Sequence, residues 1–326
     1  MPSPTASLMP SPPPDLTGIP ANEYFEDFYL PAERSLVLPV VKIDPESLHT
    51  DFLISMGQPP HLELDKAIST GDNVHVINEL GRVRSQYPQS NVTLSTAINR
   101  AIECEQLEVL KLLLKHGVKA DDRNLQVAVR CGNIPFIARL VEAIQWKVNM
   151  MLSNGCTLLS LGVVHADLVI WLLAHGADPN VQDAWAETPL SRAVELECYD
   201  VLDILLDAGA DVKQGAPLHM SLRVKGENEG LRLMAKLLAL GAPVDKYQGA
   251  DALLWEKVGF QQGTALHSAC IRGNIEAVRL LLRYGADPTR KQLVQSSEIA
   301  ESSALDEAAS RNRTDIVSVL QGHLEM

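Results

Sequence analysis

His219, in "APLHMS", and His267, in "TALHSA", are the side chains of this chain best suited to general acid–base work, because an imidazole titrates near neutral pH. Such work, or metal binding, needs converging partners, and the spacing around the two histidines supplies none. Their shared setting, directly after a small residue or Pro and then Leu, predicts a structural imidazole instead, hydrogen-bonded at a helix–turn junction. His116 and His175 each precede a Gly, in "KHG" and "AHG", where a partly charged ring favours a helix C-terminus. They fall in units two apart, so at about 8–10 Å per packed helix layer they cannot share a metal.

The other reactive types lead to the same place. Cys104 and Cys131 occupy equal registers of neighbouring units, about one layer apart and beyond the ~7 Å Cα limit of a disulfide. Cys270 sits in a small-residue core position and is expected to pack rather than react. Glu195 and Glu197 form a paired carboxylate of the kind any acidic surface carries. No nucleophile elbow, P-loop, dinucleotide fingerprint or H-E-x-x-H occurs in the sequence. Catalytic and cofactor-binding residues, cofactors and metals are therefore all expected to be absent, and an enzyme is the outside reading.

What positions these residues is a repeat. "TPLSRAVELECYDVLDILLDAGADV" (Thr188–Val212) and "TALHSACIRGNIEAVRLLLRYGADP" (Thr264–Pro288) place Thr, Leu, Ala, a Leu-Leu pair and Gly-Ala-Asp alike. With the Leu of "TPL" and "TAL" as marker, the copies stand at 64, 98, 125, 159, 190, 218, 266 and 305, mostly 27 to 34 residues apart. The 48-residue gap after Leu218 is the large departure. Eight units near one period are an array. Thr264 is suited to cap a helix, and Pro189 and Pro217 to stand at its first position, where a missing N–H costs nothing. In the following run Ile275, Val278, Leu281 and Leu282 fall on one stripe. Gly209, Gly241 and Gly285 stop the second helices. Each pair buries its stripe only against the next, so the array is an all-α solenoid. Asp65 and Lys66 in the first copy, and Asp306, Glu307 and Arg311 in the last, give the polar outer faces of terminal units.

The pattern resembles the ankyrin repeat, T-P-L-H-x-A-A, a Gly, and a Leu-rich run closing in Gly-Ala-Asp. The match is specific at Thr188–Leu190, Pro217–His219 and Thr264–His267, fair at Thr96 and Ser303, and weak at the two earliest markers. It spans residues 61–326. The resemblance implies stacked helix-turn-helix units joined by β-hairpin loops, and a concave surface that binds other proteins.

Composition bounds the alternatives. Apolar residues make up 46% of the 326 residues and aromatic ones only 5%, which suits stacked helices better than a β-sandwich. A net charge of −13 disfavours direct nucleic-acid binding and anionic membrane surfaces, and no apolar run approaches the ~18 residues of a membrane span. Five cysteines without any C-x-x-C pair point to reduced thiols in an intracellular compartment, cytoplasmic or nuclear. Residues 1–60 hold 12 of the 19 prolines and eight acidic against two basic residues, a largely disordered segment by composition. Within it "NEYFEDFYLP" reads either as a partner-binding linear motif or as a strap over the first unit.

Aromatic residues that a Leu/Ala core does not need mark the candidate protein-binding site. Trp185 falls between Gly-Ala-Asp and the next Thr-Pro-Leu, at a hairpin tip, where it serves as an interface anchor or lies flat on the neighbouring hairpin. Tyr247, Trp255 and Phe260 lie in the 245–263 insertion, whose "ADALLWEKVGF" is able to form an amphipathic helix, for a partner or for the groove beside it. The expectation is a non-catalytic adaptor or regulator with one or more protein partners and no small-molecule substrate. A transcriptional coregulator acting through a DNA-binding partner is the second version.

Overall fold

The computed structural model describes residues 62–86, 91–248, 263–293 and 302–325, all within the unit His61–Met326. The expectations for residues 1–60 lie outside the described residues.

Helix starts follow the predicted chemistry. Thr157, Thr188, Thr264 and Ser303 each hold extended backbone directly before a helix. The hydroxyls of Thr157, Thr188 and Ser303 accept the N–H three residues on, at 3.1, 3.3 and 3.2 Å. Each satisfies a donor that the helix itself leaves unpaired. Pro189 and Pro217 occupy the first helical positions.

Sixteen helices result among the described residues, in eight inner–outer pairs. They are α1 (Leu62–Thr70) with α2 (Asn73–Gln86), α3 (Asn91–Glu103) with α4 (Leu107–Lys115), and α5 (Asp122–Arg130) with α6 (Ile134–Ile144). Next come α7 (Leu158–Leu161) with α8 (Ala166–Ala174), and α9 (Pro189–Glu195) with α10 (Tyr199–Asp207). The last are α11 (Pro217–Ser221) with α12 (Glu227–Ala239), α13 (Ala265–Arg272) with α14 (Ile275–Arg283), and α15 (Ala304–Ser310) with α16 (Thr314–Leu324). The starts of α3, α5 and α11 differ from the Ser/Thr pattern. At α11 the capping position is Ala216, without a side-chain cap. α3 begins well before Thr96, which lies inside the helix. α5 is capped by Asp121, whose side chain takes the N–H groups of Arg123 and Asn124.

Every inner helix packs on the next inner helix along the whole series. That includes α11 against α13, so the 245–263 insertion leaves the stacking uninterrupted. The marker residues from Leu64 to Leu266 are buried, while Leu305 in the last unit is only partly covered. Val278, Leu281 and Leu282 of the predicted stripe are buried, with Ile275 packed at its edge. Each such side chain contributes roughly 1.5–3 kcal/mol by leaving water.

Two turn positions recur with positive φ, although the inner-to-outer turns of the fourth and sixth units do without it. Gly209, Gly241 and Gly285 end outer helices at φ 90°, 90° and 84°. The inner-to-outer turns use Gly71, Gly132 and Gly273, but Glu105 (φ 56°) and Glu197 (φ 60°) stand at the same place in the second and fifth units. The loops between units carry single antiparallel bridges, Met151 with Thr157, Tyr247 with Thr264 and Lys291 with Ser303. These are the β-hairpin fingers in minimal form.

Candidate functional site

The fingers are held by side chains that reach from one unit to the next. Asn149 donates to Gly176 O (3.1 Å) and accepts from Asp178 N–H (2.9 Å). Asn180 repeats this with Gly209 O (3.0 Å) and Asp211 N–H (2.7 Å). At the tip before α9, the buried Asp183 carboxylate accepts from the N–H groups of Trp185 and Glu187, both at 2.9 Å. This closes a tight turn in which Ala186 takes φ 60°. Burial raises the Asp183 carboxyl above its ordinary range, against the pull of those two N–H groups. Glu187 accepts from Ala216 N–H at 3.0 Å, and its carboxyl is pushed by burial to about 7.

Trp185 is half-buried on this turn. Its ring edge lies over Gly155 of the preceding finger, where a Cβ would stand 3.2 Å from Cζ3. Ala184 N–H donates to Gly155 O at 3.0 Å, fixing the two tips together. One edge of the ring thus packs on the neighbouring finger, and the residue remains partly accessible. On the finger against which that ring packs, Met150 and Met151 are 46% and 40% exposed. These two methionines carry no aromatic or repeat signal, so sequence reading passes over them.

Tyr247 is committed within the array. Its hydroxyl donates to Lys291 O at 2.8 Å, and the Arg290 guanidinium lies 5.9 Å from its ring centre. Gln248 N–H donates to Gly263 O at 3.3 Å, so the insertion's base is closed beside the α13 start. Trp255 and Phe260 lie outside the described residues.

The histidines are bound up in the stacking. His219 is buried and its Nε2 donates to Gly263 O at 3.1 Å. Burial drives its pKa down to about 4, so the ring is neutral at pH 7. His267 is likewise buried and lowered, first by burial. His175 Nδ1 lies 2.7 Å from Trp171 O, with the two rings stacked at 4.1 Å. All five thiols are unpaired. Burial raises each of them, Cys270 to about 12. None is a thiolate nucleophile at neutral pH. Among the described residues no three His, Cys, Asp or Glu side chains gather as a metal site requires. Also among them, no helix is long and apolar enough to cross a membrane.

The family description "Ankyrin repeats" matches three overlapping stretches, residues 98–183, 125–216 and 218–325. The E3 ubiquitin-protein ligase KEG of Arabidopsis thaliana is 24% identical over 319 residues, 89% of this chain and 18% of KEG. Human ankyrin repeat and SOCS box protein 6 is 37% identical over 123 residues, 36% of this chain and 27% of that protein. The chain thus spans well under a third of the length of either relative. The crystal structure of the human ASB11 ankyrin repeat domain aligns with TM-score 0.41 and 23% identity, covering 80% of this chain and 96% of that one. Ankyrin repeats generally mediate protein–protein interaction, and the fold is typically non-catalytic.

Proposed function

The chain belongs to the ankyrin-repeat family, and we propose that it is a non-catalytic adaptor or regulator that binds a protein partner on the concave face of its array. The contact begins at the finger tips of the fourth and fifth units, around Trp185. The observation that supports this reading is the exposure of Met150 and Met151 on the finger whose Gly155 packs against the Trp185 ring. Stacking does not require these side chains to face water. Methionine and tryptophan are suited to desolvated contacts with a partner. Trp255 and Phe260, in the 245–263 insertion of the sequence, are proposed as further anchors for that partner. Five unpaired thiols favour a reducing, intracellular setting for the complex.

The test is to capture the partner by affinity purification on the full chain and titrate it by calorimetry. Trp185→Ala and Trp255→Ala should each weaken binding by about 30-fold or more, the usual consequence of truncating a buried interface Trp. Melting curves recorded alongside separate lost packing from lost binding. Unchanged affinity in both variants, at unchanged stability, would move the site elsewhere.

A further inference from the structure

The turns that join inner to outer helices lie at the opposite end of each inner helix from the fingers. In the sixth, seventh and eighth units they read "RVKG", "IRGN" and "RNR", with Arg223, Lys225, Arg272, Arg311 and Arg313 and no acidic residue. The corresponding turns of the first, second and fifth units carry Asp72, Glu103 and Glu105, and Glu195 and Glu197. A chain of net charge −13 thus gathers cations along one edge of its last three units.

The edge is continuous. Loss of water first, and then the nearby Arg223 charge, hold the Arg272 guanidinium below its usual range. The Arg313 guanidinium covers Gly273, where a Cβ would lie 2.6 Å from its Cζ. Glu195 accepts from Arg223 at 3.1 Å and Glu307 from Arg311 at 3.2 Å. Lys225, Arg272 and Arg313 form no ion pair among the described residues. Nearby carboxylates open the outer helices at Glu227, Glu276 and Asp315, of which Glu276 faces Arg279 at 3.9 Å.

Fold stability accounts for only part of this charge. Arg223, Arg272 and Arg311 follow or end inner helices, where a cation complements the helix dipole. Arg313 is the N-cap of α16 and contributes no capping hydrogen bond. Lys225 stands one residue before Gly226, the N-cap of α12. At a helix N-terminus the dipole opposes a positive charge. The helix dipole thus opposes two of the cations, offset at Lys225 by Glu197, which accepts its backbone N–H at 3.0 Å, and by Glu227 and Glu229 in the following turn.

We propose that Arg223, Lys225, Arg272, Arg311 and Arg313 form a second docking edge, separate from the finger tips, for an acidic segment of a partner protein. Ile271, 37% exposed, stands beside Arg272, and Leu196, 46% exposed, next to Glu195 in the preceding unit. They suit a segment in which carboxylates alternate with apolar side chains. A nucleic acid fits less well, since the net charge of −13 repels a long polyanion whose phosphates extend past the edge.

The test uses a random twelve-residue peptide library displayed on phage, selected against the full chain and against a Lys225→Glu/Arg313→Glu variant. Both replacements put negative charge at helix N-termini, so the variant should melt no lower than the parent. Peptides selected on the parent should be rich in Asp and Glu interspersed with apolar residues. Synthesised and measured by fluorescence anisotropy, they should bind the variant about tenfold more weakly or worse, and weaken with salt. Peptides without acidic enrichment, or with equal affinity for both proteins, would overturn the docking edge while leaving the finger-tip reading intact. Failure to select any peptide would also overturn it. So would a 20-nucleotide single-stranded DNA that binds more tightly than the selected peptides and loses affinity in the variant, which would assign the edge to nucleic acid. If the variant melts more than a few degrees lower, Arg272→Gln replaces it in the same comparison, with the same outcomes deciding.

Discussion

The N–H of Thr264 donates to Nδ1 of His267 at 3.1 Å, three residues ahead in the first turn of α13. That bond fixes the tautomer: Nδ1 accepts, so Nε2 carries the proton and donates to Ser302 O of the next unit at 3.3 Å. One ring therefore caps its own helix and ties two units together. His267→Ala leaves a buried donor and an inter-unit acceptor unpaired, at about 1–3 kcal/mol for each buried group. Calorimetric melting should fall by several degrees, with partner binding unchanged at a temperature where the variant is folded. Unchanged melting together with loss of a chemical activity would show that the ring works catalytically.

His219 and Glu187 give stability a pH dependence of opposite signs. His219 has a folded pKa of about 4, below its ordinary 6.5, so its contribution is present above 6.5 and lost as pH falls towards 4. Glu187 has a folded pKa of about 7, above its ordinary 4.5, so its contribution is present below 4.5 and lost as pH rises to 7. Between 4.5 and 6.5 the two oppose each other. Each full shift is worth roughly 3 kcal/mol at one unit per 1.4 kcal/mol. Glu187→Gln should remove the decline in urea stability between pH 4.5 and 7. His219→Gln should flatten the loss on acidification. Parallel pH profiles for parent and both variants would contradict these assignments.

Glu105 and Glu197 occupy a turn position that Gly fills in three other units. Glycine relieves a left-handed backbone at about 1 kcal/mol. Glu105→Gly should therefore raise stability by up to about 1 kcal/mol in urea titration. Glu197 also accepts from Lys225 N–H of the next unit at 3.0 Å, so Glu197→Gly should gain less or nothing. A larger gain at 197 than at 105 would show that this inter-unit bond is worth little.

Gly285 separates backbone strain from crowding, because a Cβ there meets nothing within 4 Å while φ is 84°. Gly285→Ala should cost about 1 kcal/mol and Gly285→Val more, since a β-branched side chain resists positive φ. Equal melting of both variants and the parent would mean that the α14 terminus tolerates another backbone path.

Much of this was legible in the sequence because repetition amplifies weak signals. Leu190, Leu266 and Gly285 each say little alone, but their recurrence fixed helix starts, stops and the buried stripe. Polar ties between units were not legible. Asn124 donates to Asn99 Oδ1 at 2.7 Å and to Ser95 O at 3.0 Å in the preceding unit, and no local pattern sets it apart from a surface Asn. Asp183 reads as an ordinary turn acid until its burial is seen. The cationic edge was hidden for another reason: Arg223, Arg272 and Arg313 are more than forty residues apart in sequence and adjoin only through the stacking. Residues 1–60 remain a sequence-based proposal, with the expectation that deleting Met1–Pro60 shifts melting by no more than a few degrees.

Hydrogen–deuterium exchange on the full chain, free and saturated with its captured partner, tests the central claim most directly. Slowed exchange is expected at the finger amides of residues 150–157 and 183–188, with the outer helices α8 and α10 unchanged. Protection confined to the outer helices, with the fingers exchanging as in the free protein, would contradict it.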